Sequence, residues 1–394
     1  MDPGTARVTE WPTLLAVFVS IVGLIYFVKE KTPLRGLLKI APPILWVYFL
    51  PMLGTSLGLF PRESPLYEWI IRLLLPPGLV LLLLSADITA LARLGPKAIG
   101  TMLFGTAGIV LGGPLALLLF RAWVPPETWM GMGSLSGSWI GGSSNMVAIK
   151  ESIGCPDDIF GVMIVVDVLV GYGWMGIVMS LSSMQDRIDR AFKVDRTLID
   201  DLNRRLADFQ ATQRRPLEFV DLALIVAIGM GAGFVATRLG GWLPPLGNII
   251  SAFGWTIILA STFGIVLSFT PAARLEGAGA SHVGNLFLYV LLTTLGAQAD
   301  LRAVLDAPIF FLVGAVWIAF HAIILFLGGR LLKAPMFLIA TASQANVGGV
   351  VSAPIVASVY QPSLAPVGLL LGVLGNILGL YAGLLCATLL QWAA

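Results

Sequence analysis

The chain has 394 residues, of which 57% are hydrophobic and only 12% charged, with a formal net charge of +2 and a mean hydropathy of +0.90. Soluble domains carry roughly 25% charged residues, so this composition excludes a soluble globular class, and the near-neutral balance excludes a nucleic-acid partner. Two isolated cysteines, Cys155 and Cys386, cannot build a disulfide framework or a thiolate metal site and are expected to be packing residues.

In chain order, apolar segments fall near 11–28, 39–60, 66–87, 96–120, 130–149 and 158–183, then 217–239, 246–269, 283–300, 308–327, 336–359 and 364–390. Runs of about twenty apolar residues indicate spanning helices, whereas barrel strands alternate over about ten. The expected class is therefore all-α, a polytopic integral membrane protein. The first segment lacks a basic leader and a small-residue cleavage site, so it reads as a retained helix. Between the two sets of six lies Met184 to Arg215, with eight basic and six acidic residues. Leu198, Leu202, Leu206 and Phe209 recur there at helical spacing, which predicts an amphipathic linker helix. The expected organisation is 1–183, a linker over 184–216, and 217–394.

The two halves resemble each other. Ala86-Asp87-Ile88 with Ala90-Leu91 is matched by Ala299-Asp300-Leu301 with Ala303-Val304. Ser134, Ser136 and Gly141-Gly142 recur as Thr341, Ser343 and Gly348-Gly349, 207 positions later; Asp167 and Tyr172 recur as Asn376 and Tyr381, 209 later.

Charge counting suggests how the halves are oriented. If the Gly/Ser-rich segment of each half dips in and returns, five true crossings remain per half. The basic residues then divide 17 cytoplasmic against 6 external, with Arg72 inside a segment, in keeping with the positive-inside tendency. An odd number of crossings turns the second half upside down, so the expectation is two inverted repeats of five spans, each with a broken or re-entrant segment. The same count places the linker in the cytoplasm and the N-terminus outside, in the inner (cytoplasmic) membrane. Irregular backbone at membrane depth is tolerated only where protein buries it or a wet cavity receives it. Paired breaks in inverted halves point to a transport site. Small residues at helix crossings offer a plainer reading of either run alone.

The segment GGSSNMVAIKES followed by Asp167 and Gly171-Tyr172, together with TASQANVGGVVSAP, resembles the two signature segments of the YjcL-like family of membrane proteins (domain of unknown function 819), over nearly the whole chain. That family is similar in layout to sodium/glutamate symporters and other inverted-repeat carriers. The resemblance implies sodium- or proton-coupled transport by a core moving against a scaffold. Val350 and Val351 depart from it, standing where smaller residues are expected, which implies a narrower or drier pocket.

Half-helix amides attract anions and freed carbonyls coordinate cations. The substrate-binding candidates are Ser134, Ser136, Gly141, Gly142, Asn145, Ser343, Asn346, Gly348 and Gly349. Hard cations prefer oxygen, which makes Ser144, Asn145, Asn346, Asn376 and Asp167 the candidate ligands for a coupling sodium ion. Asp167 could instead carry a proton, or only hold a broken helix end by hydrogen bonding. Asp87 and Asp300 read as helix caps, and Arg72 as the helical partner of Glu68. His282 and His321 have no neighbouring second ligand in sequence, so no metal site is expected. Trp11, Trp69, Trp129, Trp242 and Trp392 are expected as interfacial anchors.

A membrane serine hydrolase built on Ser136 and His282 lacks a third group, so an enzyme is not expected. The expected function is a secondary active transporter for a small organic anion, coupled to sodium in preference to protons, moving by an elevator-like alternation. It needs no cofactor besides the ion, works in the lipid bilayer, and is compatible with a homodimer. A proton-coupled carrier, a channel and a flippase for an amphiphilic precursor are the alternatives.

Overall fold

A computed structural model describes residues 6–32, 43–84, 91, 94–194, 215–246, 250–299, 308–361 and 364–394. Its first half comprises α1 (Trp11–Lys31), α2 (Pro43–Ser56), α3 (Pro65–Leu84), α4 (Gly95–Phe120), α5 (Thr128–Gly141), α6 (Ser143–Ile153) and α7 (Asp157–Ser180). A 3₁₀ turn leads into the short α8 (Gln185–Phe192). The second half comprises α9 (Phe219–Gly240), α10 (Ala252–Ser268), α11 (Ala280–Gln298), α12 (Ile309–Leu332), α13 (Met336–Val347), α14 (Gly349–Tyr360) and α15 (Ala365–Ala393). Among the described residues the only extended pairing is an isolated bridge between Leu246 and Ile250. The chain is an all-α polytopic membrane protein.

Among the described residues eight helices are long and apolar enough to cross a membrane, or nine if α10 and the 3₁₀ segment Pro271–Ala278, bent 95° from each other, form one span. Two shorter apolar helices, Leu45–Ser56 within α2 and α14, accompany them, and each half holds one interrupted pair, α5/α6 and α13/α14.

Local chemistry sets the ends. Pro12 starts α1 and Lys29 and Lys31 lie in its last turn, each suited to its end of the helix dipole. Asp157 and Asp158 occupy the first turn of α7. Ser251 caps α10 by accepting from the Gly254 amide at 2.9 Å. The 246–269 run forms α10, and Pro271, lacking an amide hydrogen, follows its end where the chain turns into the 3₁₀ segment Pro271–Ala278, which lies beyond the expected run. Within the described part of the 39–60 run the helix spans Pro43–Ser56, with Gly58 at φ +73° just beyond it.

The helices sort into two bundles. One contains α1, α2, α3, α9, α10 and α11; the other contains α4 to α7 and α12 to α15. Packing within each is close. In the second bundle α4 and α12 run antiparallel: Gly100 faces Leu332, and Gly112 faces Phe320 and Trp317. Small residues let these backbones approach, the usual means of helix association in lipid. In the first bundle α3 and α11 pair the same way, with Gly78 facing Phe287 and Gly284 facing Leu81. The contacts between bundles are fewer. Arg62, after α2, reaches Asp158 of α7 at 2.6 Å; Thr262 of α10 meets Tyr381 of α15 at 2.9 Å; and the Ser251 amide donates to Ser152 O of α6 at 3.2 Å.

Several surface expectations meet a definite outcome. Arg72 pairs with Glu68 at 2.8 Å. Trp11, Trp69, Trp242 and Trp392 are exposed, as interfacial anchors are, but Trp129 is buried in the core and is not an anchor. Lys150, counted from sequence as an external charge, is buried at the end of α6, with Glu151 and Asp157 each 2.9 Å away. Both cysteines are buried and unpaired. Asp87, Asp300 and the Leu198–Phe209 stripe lie outside the described residues, so the expected caps and most of the linker helix do too.

Candidate functional site

The two interrupted helices break at glycine, and for a backbone reason. Gly142 sits at φ +86°, ψ 174°, a region open essentially to glycine alone. Gly349 sits at φ +63°, the left-handed region that glycine enters without a Cβ penalty. At the first break the Gly142 amide still donates to Ser138 O at 2.8 Å, while Gly142 O accepts from the Asn145 and Met146 amides of the new helix. At the second, the Gly348 amide donates to Gln344 O at 2.8 Å. The breaks meet: a methyl group on Gly349 would stand 3.7 Å from Gly142 Cα. Two C-terminal helix ends (α5, α13) and two N-terminal ends (α6, α14) therefore converge. The first amides of α6 and α14 have no intrahelical carbonyl to reach, and the dipoles make those ends electropositive.

Helix α15 threads past this crossing. Gly375 touches both broken helices, since a methyl there would lie 2.6 Å from Ile140 O and 3.0 Å from Ala345 O. Gly141 is pressed against Gly375 O and the Asn145 amide.

The side chains at the crossing are polar and uncharged. Asn145 Nδ2 donates to Gly141 O at 2.9 Å and to Asn376 O at 3.2 Å. The side-chain oxygen of Asn376 lies 3.6 Å from where a Gly142 methyl would be. The half-buried Ser144 hydroxyl has no hydrogen-bond partner among the described residues. Gln344 bridges the second break, its Nε2 donating to Ser352 Oγ at 2.9 Å. The other end of that amide, Oε1, is buried with no partner, although buried polar atoms normally have one.

The remaining candidates stand back from the crossing. Ser134 donates to Met130 O at 2.9 Å, and Ser136 to Gly133 O at 2.6 Å and Gly383 O at 3.3 Å. Ser134 is occupied within α5, about 12 Å along the helix from Gly142, and Ser136 is occupied where α5 meets α15. Asn346 is engaged with α4: Oδ1 accepts from Thr106 Oγ1 at 2.8 Å, and Nδ2 donates to Ala342 O at 2.9 Å. Asp167 on α7 accepts from Ser138 Oγ at 2.8 Å and Trp139 Nε1 at 2.9 Å, both in the last turn of α5. It braces the end of the first broken helix.

Ser343 belongs to a network that sequence reasoning overlooked. Its Oγ is 2.8 Å from His321 Nε2 and accepts from Trp174 Nε1 at 2.8 Å. His321 Nδ1 is 2.9 Å from Gly105 O. A carbonyl can only accept, so Nδ1 carries the hydrogen and Nε2 accepts from Ser343, an assignment made from the network. Four helices are thereby tied at a residue with no exposed surface. The signal was present, because an ionisable residue within an apolar helix is a functional candidate by default. Gln344 was equally visible as the polar residue between Ser343 and Asn346.

Among the described residues no three His, Cys, Asp or Glu side chains cluster as metal ligands. Oxygen atoms of Ser, Asn and Gln side chains and of carbonyls remain, the donor set suited to a hard monovalent cation.

The family described as "Protein of unknown function (DUF819)" matches residues 14–392. The chain is also similar to the uncharacterized membrane protein YjcL of Bacillus subtilis (strain 168), with 22% identity over 340 residues, which cover 84% of this chain and 85% of the relative.

Proposed function

We propose that this chain, which belongs to the DUF819 family of membrane proteins, is a cation-coupled secondary transporter of a small organic anion. One observation carries the reading: the two glycine breaks meet, bringing the electropositive ends of α6 and α14 to one point beside uncharged oxygen donors. The amide ends suit a carboxylate. Asn145, Ser144 and Asn376, with the carbonyls ending α5 and α13, suit sodium, and Gly141, Gly142, Gly348 and Gly349 keep the approach clear. In this proposal Ser136, Ser343 and Asn346 hold the broken helices to their neighbours, and Ser134 bonds within its own helix, instead of touching cargo.

The antiparallel pairing of α4 with α12 and of α3 with α11 supports two inverted halves. The division into two bundles supports an elevator-like motion of the α4–α7 and α12–α15 bundle against the other. In this reading the linker is cytoplasmic, the N-terminus external and the membrane the inner one.

Asp167 tests the coupling. Asparagine can keep both bonds, with Oδ1 accepting from Trp139 and Nδ2 donating to Ser138, so Asp167→Asn is expected to cost no more than about 1 kcal/mol of stability. Its effect should fall on transport. In proteoliposomes, an inward sodium gradient is expected to drive accumulation from a mixture of small organic anions, and Asp167→Asn to abolish the gradient dependence. Accumulation that ignores sodium in the unaltered protein would defeat sodium coupling; dependence on pH through Asp167 would replace it with proton coupling.

A further inference from the structure

The two breaks are equivalent in sequence, yet their second halves are docked differently. Helix α6 lies against the first bundle: Ser152 O accepts from the Ser251 amide, and a methyl on Gly254 would stand 3.4 Å from Ser152 Cα. Ala148 and Ser152, on this side of α6, have no exposed surface. The equivalent positions on α14, 207 residues later, are Ile355 and Val359, with Val351 one turn before. These are 48%, 42% and 72% exposed. An apolar stripe is left uncovered where its counterpart is buried.

Other contacts across the boundary between bundles are paired. Tyr48 of α2 lies against Gly161 of α7, as Thr262 of α10 lies against Tyr381 of α15. Within the first bundle, α2 packs on α11 as α10 packs on α3. Helix α2 is therefore the counterpart of α10, and one asymmetry stands out: α6 has its α10, but α14 does not have its α2.

We infer that the Val351, Ile355 and Val359 stripe of α14 is the docking face of the opposite conformation, and that its occupant is α2 of the same chain. The two contacts exchange. As α6 leaves α10, α14 closes on α2, and the crossing of the breaks, held within the moving bundle, is presented to the other side. The inference rests on the proposed alternating carrier and specifies which surfaces make its two end states. A two-state element biased from either end is the physical requirement for such a switch.

Spin labels on Ser358→Cys, beside the stripe, and Ser56→Cys, at the exposed end of α2, report the distance by pulsed electron resonance in nanodiscs. Both native cysteines are replaced by alanine. Ser152→Trp wedges α6 off α10 and is expected to shift the distribution to shorter distances. An equal starting population of two states would about double the short component at most. Gly254→Leu enters the same contact from the α10 side and serves if the tryptophan variant does not fold. An unchanged distribution in every folded wedge variant overturns the inference and leaves the stripe to lipid. A short component that vanishes on dilution with unlabelled protein overturns it in favour of a second copy. Failure of the carrier reading shows separately, as the absence of any sodium- or anion-dependent stabilisation of the unlabelled protein, whatever the labels report.

Discussion

Gly375→Ala is expected to destabilise the protein by about 3 kcal/mol or more, at the upper end of overpacking in a filled core. The added methyl would lie 2.6 Å from Ile140 O and 3.0 Å from Ala345 O, backbone atoms in the last turns of both broken helices. Neither oxygen can rotate away, so α15 must retreat from the crossing and take the Asn145 contact with it. Gly176 on α7 is the control. Nothing lies within 4 Å of a methyl there, and Gly→Ala in a helix gains about 0.5–1 kcal/mol of intrinsic stability. Unfolding of the two variants in the same detergent should therefore move in opposite directions. If Gly375→Ala unfolds like the unaltered protein, α15 does not pack against both breaks as described.

His321→Leu is expected to cost about 2–4 kcal/mol. The imidazole satisfies Gly105 O and accepts from Ser343 in a buried position, and each buried group left without its partner costs about 1–3 kcal/mol. The leucine fills comparable space, so the loss reads the hydrogen bonds more than a cavity. Ser343→Ala alone should cost about 1–3 kcal/mol, because it leaves the buried His321 Nε2 without a partner, while Trp174 Nε1, the other atom it orphans, lies at the half-buried edge of the network. The double variant should cost less than the sum, since the two residues share one bond. Strict additivity, measured by chemical unfolding, would mean that Ser343 and His321 do not interact.

Much of the architecture was legible because membrane helices announce themselves by length and apolarity. Five runs per half and a Gly-rich break in each follow from composition and the repeat, and the helices end where Gly142 and Gly349 require it. Side-chain roles were less legible. Ser134, Ser136 and Asn346 have the chemistry of ligands, but Ser134 already bonds back to its own helix, and Ser136 and Asn346 bond to α15 and α4. Only three-dimensional packing decides that. Trp129 misled for the same reason: its position at a segment end suits an anchor, whereas its helix start is folded into the core. His321 was set aside because sequence proximity offered no second ligand; its partners, Gly105 and Ser343, come from other helices.

The most direct measurement is thermal stability of the purified protein titrated with sodium against potassium and choline, alone and with a panel of small organic anions. A ligand at one hundred times its dissociation constant stabilises by about 2.7 kcal/mol. The account predicts a sodium-specific rise, enlarged by one class of anion and lost when Ser144→Ala is combined with Asn376→Ala, two residues at the crossing whose side chains make no hydrogen bond among the described residues. Equal stability in all three salts, with no anion effect in the unaltered protein, would contradict a coupled binding site at the meeting of the two breaks.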